Sequence, residues 1–376
     1  MPSPLAIAAI ILSVVAPASG GSGSLDVRRF DRLMEQAALL RSPQQRHADL
    51  AIPFIREAVQ SAEAAHDERR EAKAQVELGA ALISMHDYEG ARTALLRSLE
   101  LSRRDGDFAT GNAALVSLGV MYDELGDYDE AVATFQRMLD LATSRGDAAT
   151  RVRSLNGLAA FGNRSGRGAE GVRYSRMALR ELDDGVRKGV TFPPTVFFAV
   201  PYNVGKGLSL EGEYLEASRY FDRARAAAEK QGMMSGVWHV LHETGEMDLA
   251  EGDFPTAERY FERALDIAQK IESRDPEART RRALGSLAEQ RGDLAGALAH
   301  YTTALQMYER ANYQSEIPAS LAALSRVQFL SGHKSDAAIT LRRAETLATL
   351  INLPLALVQV KLEAGNQKLN AGDMAG

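Results

Sequence analysis

The sequence predicts an all-α fold in which antiparallel helix pairs stack into a solenoid of about eight repeats followed by a final helix. Three observations predict it: a Leu-Gly-like dipeptide that recurs about every 40 residues, a glycine turn after it, and apolar residues at helical spacing after the turn. One helix pair of this kind cannot bury both of its apolar faces alone. The repeats must therefore stack on one another.

The dipeptide and the turn mark the end of the first helix of each repeat. Glycine permits the positive φ that ends a helix, and the turn follows the dipeptide after seven residues. Most successive turns are 40 residues apart, and the exception is a step of 46 residues from Gly166 to Gly212. The dipeptides are Leu78-Gly79, Leu118-Gly119, Leu158-Ala159, Val204-Gly205, Thr244-Gly245 and Leu284-Gly285, and the turns include Gly126, Gly166, Gly212, Gly252, Gly292 and Gly332.

After each turn, an alanine, a large apolar residue four places on and a small residue three places further form one face of a second helix. Small residues let the second helix approach the first closely, while the ring or leucine between them fills the remaining space. We expect helices of about 14 residues, with the rest of the period in longer connections such as 142–147 and 229–232. The clearest faces are Ala131, Phe135, Met138; Ala217, Phe221, Ala224; Ala257, Phe261, Ala264; and Ala297, Tyr301, Ala304.

These residues resemble the tetratricopeptide repeat, whose consensus has Leu-Gly in its first helix, Gly-x-Tyr at the turn, and Ala, Phe and Ala in its second helix. The usual repeat has about 34 residues, and the longer one here resembles the Leu-Gly-Asn-like subset of the family. The resemblance runs from about Phe30 to the C-terminus. It implies a right-handed superhelix whose first helices line a concave groove, and a non-catalytic scaffold that binds proteins or peptides.

Two units that match the repeat pattern poorly indicate how the array is organised. Pro43 and Gln45 replace the glycine turn of the first unit, which fits an N-terminal cap. The unit around Gly166 and Gly171 has glycine and serine where alanine and an aromatic residue are expected, so we expect the stack to be softest there. The long step follows directly. We therefore predict an N-terminal half over residues 27–190 and a C-terminal half over residues 191–376.

The N-terminus has the layout of a signal peptide, predicted over residues 1–18. An apolar run from Leu5 to Val15 is too short to span a bilayer and precedes Ala16-Pro17-Ala18, where cleavage is expected. A flexible Gly/Ser segment follows over residues 19–26. The prediction is export, to the periplasm or envelope. No Lys or Arg precedes the run, which leaves a retained tail or membrane anchor, or a cytoplasmic protein, as alternatives.

At the other end, Gly372 to Gly376 match Gly292 to Gly296, which lead into a second helix in an earlier repeat. The preceding helix, 355–369, is apolar on two sides and predicts neighbours on both. We expect a chain that ends short of its full architecture; a natural end with a terminal cap is the alternative. Exported arrays of this family resemble the sensory front of membrane-linked diguanylate cyclases or histidine kinases, and no such output domain is present.

The resemblance places the binding groove on residues one, four and eight places along each first helix. In the middle units these places are polar, aromatic or charged, which fits an extended peptide with acidic or polar side chains. Asn203 joins the set because it lies one helix turn from Lys206, although the rest of the family's carboxylate clamp is missing. The predicted groove residues are Asn156, Tyr202, Asn203, Lys206, His239, His242, Glu246, Arg279 and Arg282.

The remaining signals argue against other classes of function. A net charge of −6 and the lack of a basic patch disfavour nucleic acid, and the absence of cysteine removes thiolate chemistry. His239, His242, Glu243 and Glu246 share one helix side and could hold a metal, but His and Glu at this spacing more commonly form ion pairs. Trp238 is predicted to be core. We predict no catalysis, no cofactor, no metal and no small-molecule substrate.

Overall fold

The computed structural model describes residues 27–41, 47–271, 274–311, 313–351 and 354–370, and within these ranges the chain is helical without a strand. The all-α prediction is confirmed. The predicted signal peptide, the Gly/Ser segment, the turn at Pro43 and Gln45, and the motif at Gly372 to Gly376 lie outside the described residues. In chain order the helices are α1 Val27–Leu40, α2 Ala48–Ala64, α3 Glu68–Ser84, α4 Tyr88–Asp105, α5 Phe108–Glu124, α6 Tyr128–Ser144, α7 Ala148–Arg164, α8 Gly168–Arg187, α9 Val196–Leu210, α10 Tyr214–Lys230, α11 Met234–Glu251, α12 Phe254–Lys270, α13 Arg274–Gln290, α14 Leu294–Ala311, α15 Ile317–Leu330, α16 Lys334–Leu350 and α17 Pro354–Asn370.

The described residues form two compact units, one ending at Leu141 and the other beginning at Ala142. In each unit, neighbouring helices pack against each other in pairs, as the repeat pattern predicts. The predicted limit between residues 190 and 191 falls inside the second unit, where α8 and α9 on its two sides pack together. No helix in the described ranges has both the length and the apolar character needed to cross a bilayer.

The helices are longer than the sequence analysis predicts. Both helices of the repeat that begins at α5 contain 17 residues, and residues 142–144, predicted as connection, belong to α6. Residues 229 and 230 likewise belong to α10. The expectation of helices of about 14 residues with long connections was therefore wrong. Two 17-residue helices and two three-residue turns together account for the 40-residue period.

The prediction failed because the turn between repeats has the same chemistry as the turn within a repeat. At Gly146 the backbone has φ +68°, as it has φ +72° at Gly126. Asp147 then accepts a hydrogen bond from the Thr150 N–H at 3.0 Å, which satisfies a donor at the start of α7. Between residues 66 and 147, a residue with positive φ followed by a capping aspartate therefore recurs every 20 residues. Further aspartates that cap a helix in this way are Asp67, Asp87, Asp107, Asp127, Asp253 and Asp293.

Two turns carry histidine at the position where Gly106, Gly126 and Gly146 stand in the turns that follow. His66 has φ +55° and His86 has φ +60°, a conformation that costs a side-chain-bearing residue about 1–2 kcal/mol. We expect His66→Gly to raise the free energy of unfolding by about 0.5–1 kcal/mol, because relief of this cost exceeds the entropy that glycine loses on folding. Urea denaturation measures the change. His66→Ala is the control: it keeps the positive φ, and an equal gain from alanine would contradict the explanation.

The Leu-Gly dipeptide marks the closest approach of the two helices in a repeat. A Cβ atom placed on Gly119 would lie 2.1 Å from the Phe135 ring, and one on Gly245 would lie 2.6 Å from the Phe261 ring. Phe261 is fully buried. The ring of the second helix therefore lies directly on the glycine backbone of the first, which confirms the predicted packing of small against large residues. The same contact joins Gly79 to Leu95, Gly205 to Phe221, and Gly285 to Tyr301.

In the glycine-rich unit of α7 and α8, the glycines allow the two helices to approach each other closely. A Cβ on Gly171 would lie 1.8 Å from Asn163 Oδ1, and one on Gly162 would lie 2.8 Å from the Gly171 backbone nitrogen. These helices approach too closely for alanine. The following 46-residue step consists of a longer α8 and an irregular segment in which Phe192 is buried and packs on Gly185.

In the second unit the odd-numbered helices form a layer of their own. Besides its even-numbered partner, α9 contacts both α7 and α11, and α11 contacts α13. No contact of comparable extent joins two even-numbered helices within the described ranges. The odd-numbered helices therefore lie on the inner side of this unit, as the resemblance implies for the first helices of the repeats.

Candidate functional site

The predicted groove residues all lie on this inner layer of the second unit. Asn156 is on α7, Tyr202, Asn203 and Lys206 are on α9, His239, His242 and Glu246 are on α11, and Arg279 and Arg282 are on α13. Because they come from four successive odd-numbered helices, they line one continuous face.

Glu243 is the centre of the polar contacts on this face. Its Oε1 accepts a hydrogen bond from the Tyr202 hydroxyl at 3.3 Å, and its Oε2 forms an ion pair with Lys206. Burial raises the pKa of Glu243, but Lys206 and the neighbouring histidines outweigh this, so the pKa lies below its ordinary value. Glu243 therefore joins α9 to α11, and Tyr202 and Lys206 turn toward it.

Sequence reasoning placed Glu243 on the helix side that it shares with His239, His242 and Glu246, here called the His-Glu face. It did not include Glu243 among the groove residues. The signal that could have identified Glu243 is Lys206, which occupies a groove position in the preceding repeat. A buried carboxylate needs a cation, and the neighbouring odd-numbered helix supplies one in Lys206.

An asparagine ladder continues these contacts toward α7. Asn203 Nδ2 donates to Asn156 Oδ1 at 2.9 Å, and Asn163 Nδ2 donates to the Asn203 carbonyl oxygen at 2.9 Å. Asn163 is buried, which makes it inaccessible as a glycosylation acceptor in the folded chain. Asn203 and Lys206 thus have partners within the chain and do not form a free clamp.

Trp238 lies in the core, as predicted, with only 2% of its surface exposed. Its indole Nε1 donates to Thr280 Oγ1 at 3.0 Å, which joins α11 to α13. Its ring stacks on that of His242, with centroids 5.1 Å apart and an angle of 16° between the planes. The edge of His239 meets Tyr202 at 5.8 Å. An aromatic layer therefore underlies the polar face.

Burial lowers the pKa of His242 to about 4 and also lowers the pKa of His239. Both imidazoles are consequently neutral at pH 7. His242 Nδ1 has no hydrogen-bond partner in the described part of the chain, and its Nε2 lies 3.8 Å from Glu246 Oε1. The structure does not assemble the four residues of the His-Glu face: Glu243 pairs with Lys206 instead. No group of three or more His, Asp or Glu side chains suited to a metal occurs in the described ranges.

The two groove arginines differ in their surroundings. Arg279 is held by Asp275 at 3.0 Å and by Glu316 at 3.4 Å. Arg282 has no hydrogen-bond or ion-pair partner among the residues that the structure describes. Burial and the charge of Glu243 raise the pKa of Glu246, and the charge of nearby Arg282 opposes this rise. The Glu246 side chain is 44% exposed. The face therefore presents one unpaired guanidinium and one accessible carboxylate.

A further acidic residue of α11, Asp248, is buried near the end of the helix, and its Oδ2 has no partner within the described ranges. Burial and the charges of Asp253 and Glu251 raise its pKa to about 6. Because the folded pKa exceeds the unfolded one, the folded state binds the proton more tightly. Stability from this group is therefore present at low pH and falls as pH rises from about 4 to 6.

We expect Asp248→Asn to raise the free energy of unfolding at pH 7.5 by about 1–3 kcal/mol, because the amide is neutral. The gain should shrink as the pH is lowered to about 4.5, where the wild-type carboxyl is protonated in the folded state. Melting temperatures of both proteins across this range provide the measurement. Because the other titrating groups are shared, parallel curves for the two proteins would contradict the assignment.

Comparison with known proteins agrees with this arrangement of helices. The family model described as "Tetratricopeptide repeat" matches residues 70–144 and 239–310, which cover α3 to α6 and most of α11 to α14. These two ranges are tetratricopeptide repeats. The second match includes five of the nine predicted groove residues, namely His239, His242, Glu246, Arg279 and Arg282. No curated protein matches the sequence.

Solved structures share this fold at low sequence identity. A Rap protein complexed with Competence and Sporulation Factor has a TM-score of 0.61 and 16% identity, with 93% of each chain covered. A STAND protein with a tetratricopeptide repeat sensor from Pyrococcus horikoshii has a TM-score of 0.58 and 14% identity, and covers 92% of this chain and 52% of its own. Aspartyl phosphate phosphatase F from Bacillus subtilis has a TM-score of 0.54 and 10% identity, with 90% and 86% covered. At these identities the likeness establishes the fold.

Proposed function

We propose that the inner face of the second unit binds an extended peptide segment of a partner protein. The repeat family and the fold support a general role as a protein-interaction scaffold. The more specific proposal, that a peptide binds on the inner face, rests on one observation. On a face where Glu243, Lys206 and Arg279 are paired within the chain, Arg282 and Glu246 retain free hydrogen-bonding capacity.

The chemistry of this face favours a particular kind of peptide. Arg282 offers a planar fork of donors that fits a carboxylate or a backbone carbonyl. Glu246 accepts from backbone N–H groups or a basic side chain, and the rings of Tyr202 and His239, inclined at 62° to each other, add an apolar surface. An extended peptide with an acidic side chain placed on Arg282 satisfies these groups. The similar Rap protein, whose structure contains Competence and Sporulation Factor, supports the proposal by analogy of fold.

Selection from a random peptide library displayed on phage tests the proposal. Peptides that bind the full chain are expected to lose at least about tenfold in affinity for Arg282→Glu, because the carboxylate then meets a like charge. Arg223→Glu is the matched control: Arg223 lies on α10 and pairs only with Asp183, at 3.0 Å. Peptides that discriminate equally against both variants, or against neither, would contradict a site on the inner face.

We further propose that the protein is exported, on the signal-peptide layout of residues 1–18. Fractionation of the native host followed by mass spectrometry of the N-terminus tests this. A mature chain that begins at Ser19 outside the cytoplasm is the expected result. An intact Met1 in the cytosol would overturn it and favour an intracellular adaptor.

The alternative proposal is the sensory region of a signalling protein. It is favoured by the STAND protein, whose name includes a tetratricopeptide repeat sensor and of which this chain spans about half the length. In that case the native coding sequence should continue downstream into a membrane helix and an output domain such as a diguanylate cyclase or histidine kinase. A stop codon directly after Gly376 would weigh against it.

A further inference from the structure

The outer side of α17 carries an apolar seam that no described residue covers. Val358, Leu362 and Leu369 are 63%, 65% and 60% exposed. With Gly365 they follow the i, i+4, i+7, i+11 spacing of a single helix face. The opposite side of α17 packs on α15 and α16. A continuous exposed apolar row of this kind marks an interaction site.

The glycine within this seam shows what shape of partner fits. Gly365 lies 80 residues after Gly285, at the repeat position where a glycine receives the large side chain of the following even-numbered helix. A Cβ on Gly285 would lie 2.8 Å from the Tyr301 ring, whereas one on Gly365 would meet no described atom within 4 Å. The earlier repeats thus show which helix fits this seam: one with an aromatic residue or leucine between two alanines.

The flanks of the seam show what charge the partner needs. Lys361 and Lys368 are exposed and lie on one flank, three and ten places after Val358. The other flank carries the uncharged Gln359 and Asn366. Residues that flank an apolar seam select partner helices through opposite charge. A helix with acidic residues beside its apolar row is therefore favoured.

A second copy of α17 does not meet these requirements. It offers no aromatic residue or leucine that lies between two alanines at this spacing for the space above Gly365. Antiparallel pairing of two copies would also bring like flanks together, so that Lys361 and Lys368 of one molecule would face those of the other.

We propose that the α17 seam, formed by Val358, Leu362, Gly365 and Leu369, docks an amphipathic helix of a partner protein. The alanine-flanked aromatic residue or leucine of that helix packs on Gly365, and its acidic flank pairs with Lys361 and Lys368. This surface lies apart from the groove face of α9, α11 and α13, and the proposal does not depend on peptide binding there.

The probe is a fluorescent synthetic peptide that copies residues 252–271, whose face of Ala257, Phe261 and Ala264 is flanked by Glu258 and Glu262. Fluorescence anisotropy against the full chain is expected to show saturable binding. Leu362→Asp should weaken it by at least about tenfold. Leu215→Asp is the matched control, because Leu215 is 75% exposed on α10, away from the seam, and should leave binding unchanged.

Gly365→Ala gives a second, independent test. Alanine favours helix over glycine, so the melting temperature of the chain should rise. The added methyl group occupies the place of the partner's ring, so peptide affinity should fall. If the melting temperature rises while peptide affinity falls, the loss of binding cannot be caused by misfolding of the variant. It must then come from the blocked docking surface.

Three results would overturn the proposal. The first is equal binding to wild type and Leu362→Asp, and the second is no binding at peptide concentrations up to about 1 mM, which corresponds to about 4 kcal/mol. The third is a melting temperature that falls by several degrees in Leu362→Asp without peptide. That result would mean that the seam is already covered within the same polypeptide.

Discussion

Replacing Trp238 with alanine is expected to lower the free energy of unfolding by about 3–5 kcal/mol, because a fully packed indole is removed from between α11 and α13. The change also leaves Thr280 Oγ1 without the donor that it has at 3.0 Å. The stacked ring of His242 loses its support. Urea denaturation followed by circular dichroism measures the effect, since the substitution removes the only tryptophan.

Trp238→Phe separates packing from hydrogen bonding. Phenylalanine retains most of the apolar contact and loses the donor, so we expect a smaller cost of about 1–2 kcal/mol. If alanine and phenylalanine destabilise equally, the indole N–H and not the packing would dominate. If neither destabilises, the assignment of Trp238 to the core is wrong.

Gly171→Ala is expected to cost about 2–3 kcal/mol, although the same substitution usually stabilises a helix. The new Cβ would come within 1.8 Å of Asn163 Oδ1 and 3.2 Å of the Ala159 carbonyl oxygen. Asn163 cannot move away freely, because its Nδ2 is bonded to the Asn203 carbonyl. Relief of the clash therefore breaks the ladder between α7 and α9 or separates α7 from α8.

Gly111→Ala is the matched control for this prediction. A Cβ on Gly111 would make an ordinary contact at 3.5 Å with Ser102, so alanine should stabilise α5 by up to about 1 kcal/mol. Thermal melts of the two variants should therefore shift in opposite directions. Shifts of the same sign would show that helix propensity, and not the approach of α7 and α8, decides the result at Gly171.

Much of the fold follows from the sequence because the repeat states each feature several times. The helix pairs, the glycine turns and the packing of Phe261 on Gly245 all follow from residues that recur at one period. Helix length was missed because the turn at Gly146 was interpreted as part of a loose connection. Its αL glycine and capping aspartate make it equivalent to the turn at Gly126.

The site was harder to predict because the sequence period shows which helix face a residue occupies. It does not show with which side chain of a neighbouring helix that residue forms a hydrogen bond or ion pair. Tyr202 and Lys206 were placed on the correct helix, yet their partner Glu243 lies on the next odd-numbered helix. Arg279 and Arg282 occupy similar sequence positions, and only the structure separates the paired arginine from the unpaired one. Such choices depend on interhelical distances that the spacing of residues does not contain.

The capping aspartates have a consequence for how the whole array responds to acid. Burial raises the pKa of Asp67, Asp107 and Asp147, but hydrogen bonds to the helix starts outweigh it and hold each pKa below the ordinary value. Each carboxylate therefore stabilises the fold above the ordinary aspartate pKa, and loses that contribution as the pH falls through its lower folded value. Acid below the ordinary aspartate pKa therefore weakens the starts of α3, α5 and α7. Because the stability of one repeat depends on its neighbours, the loss at each of these helices also weakens the helices packed against it.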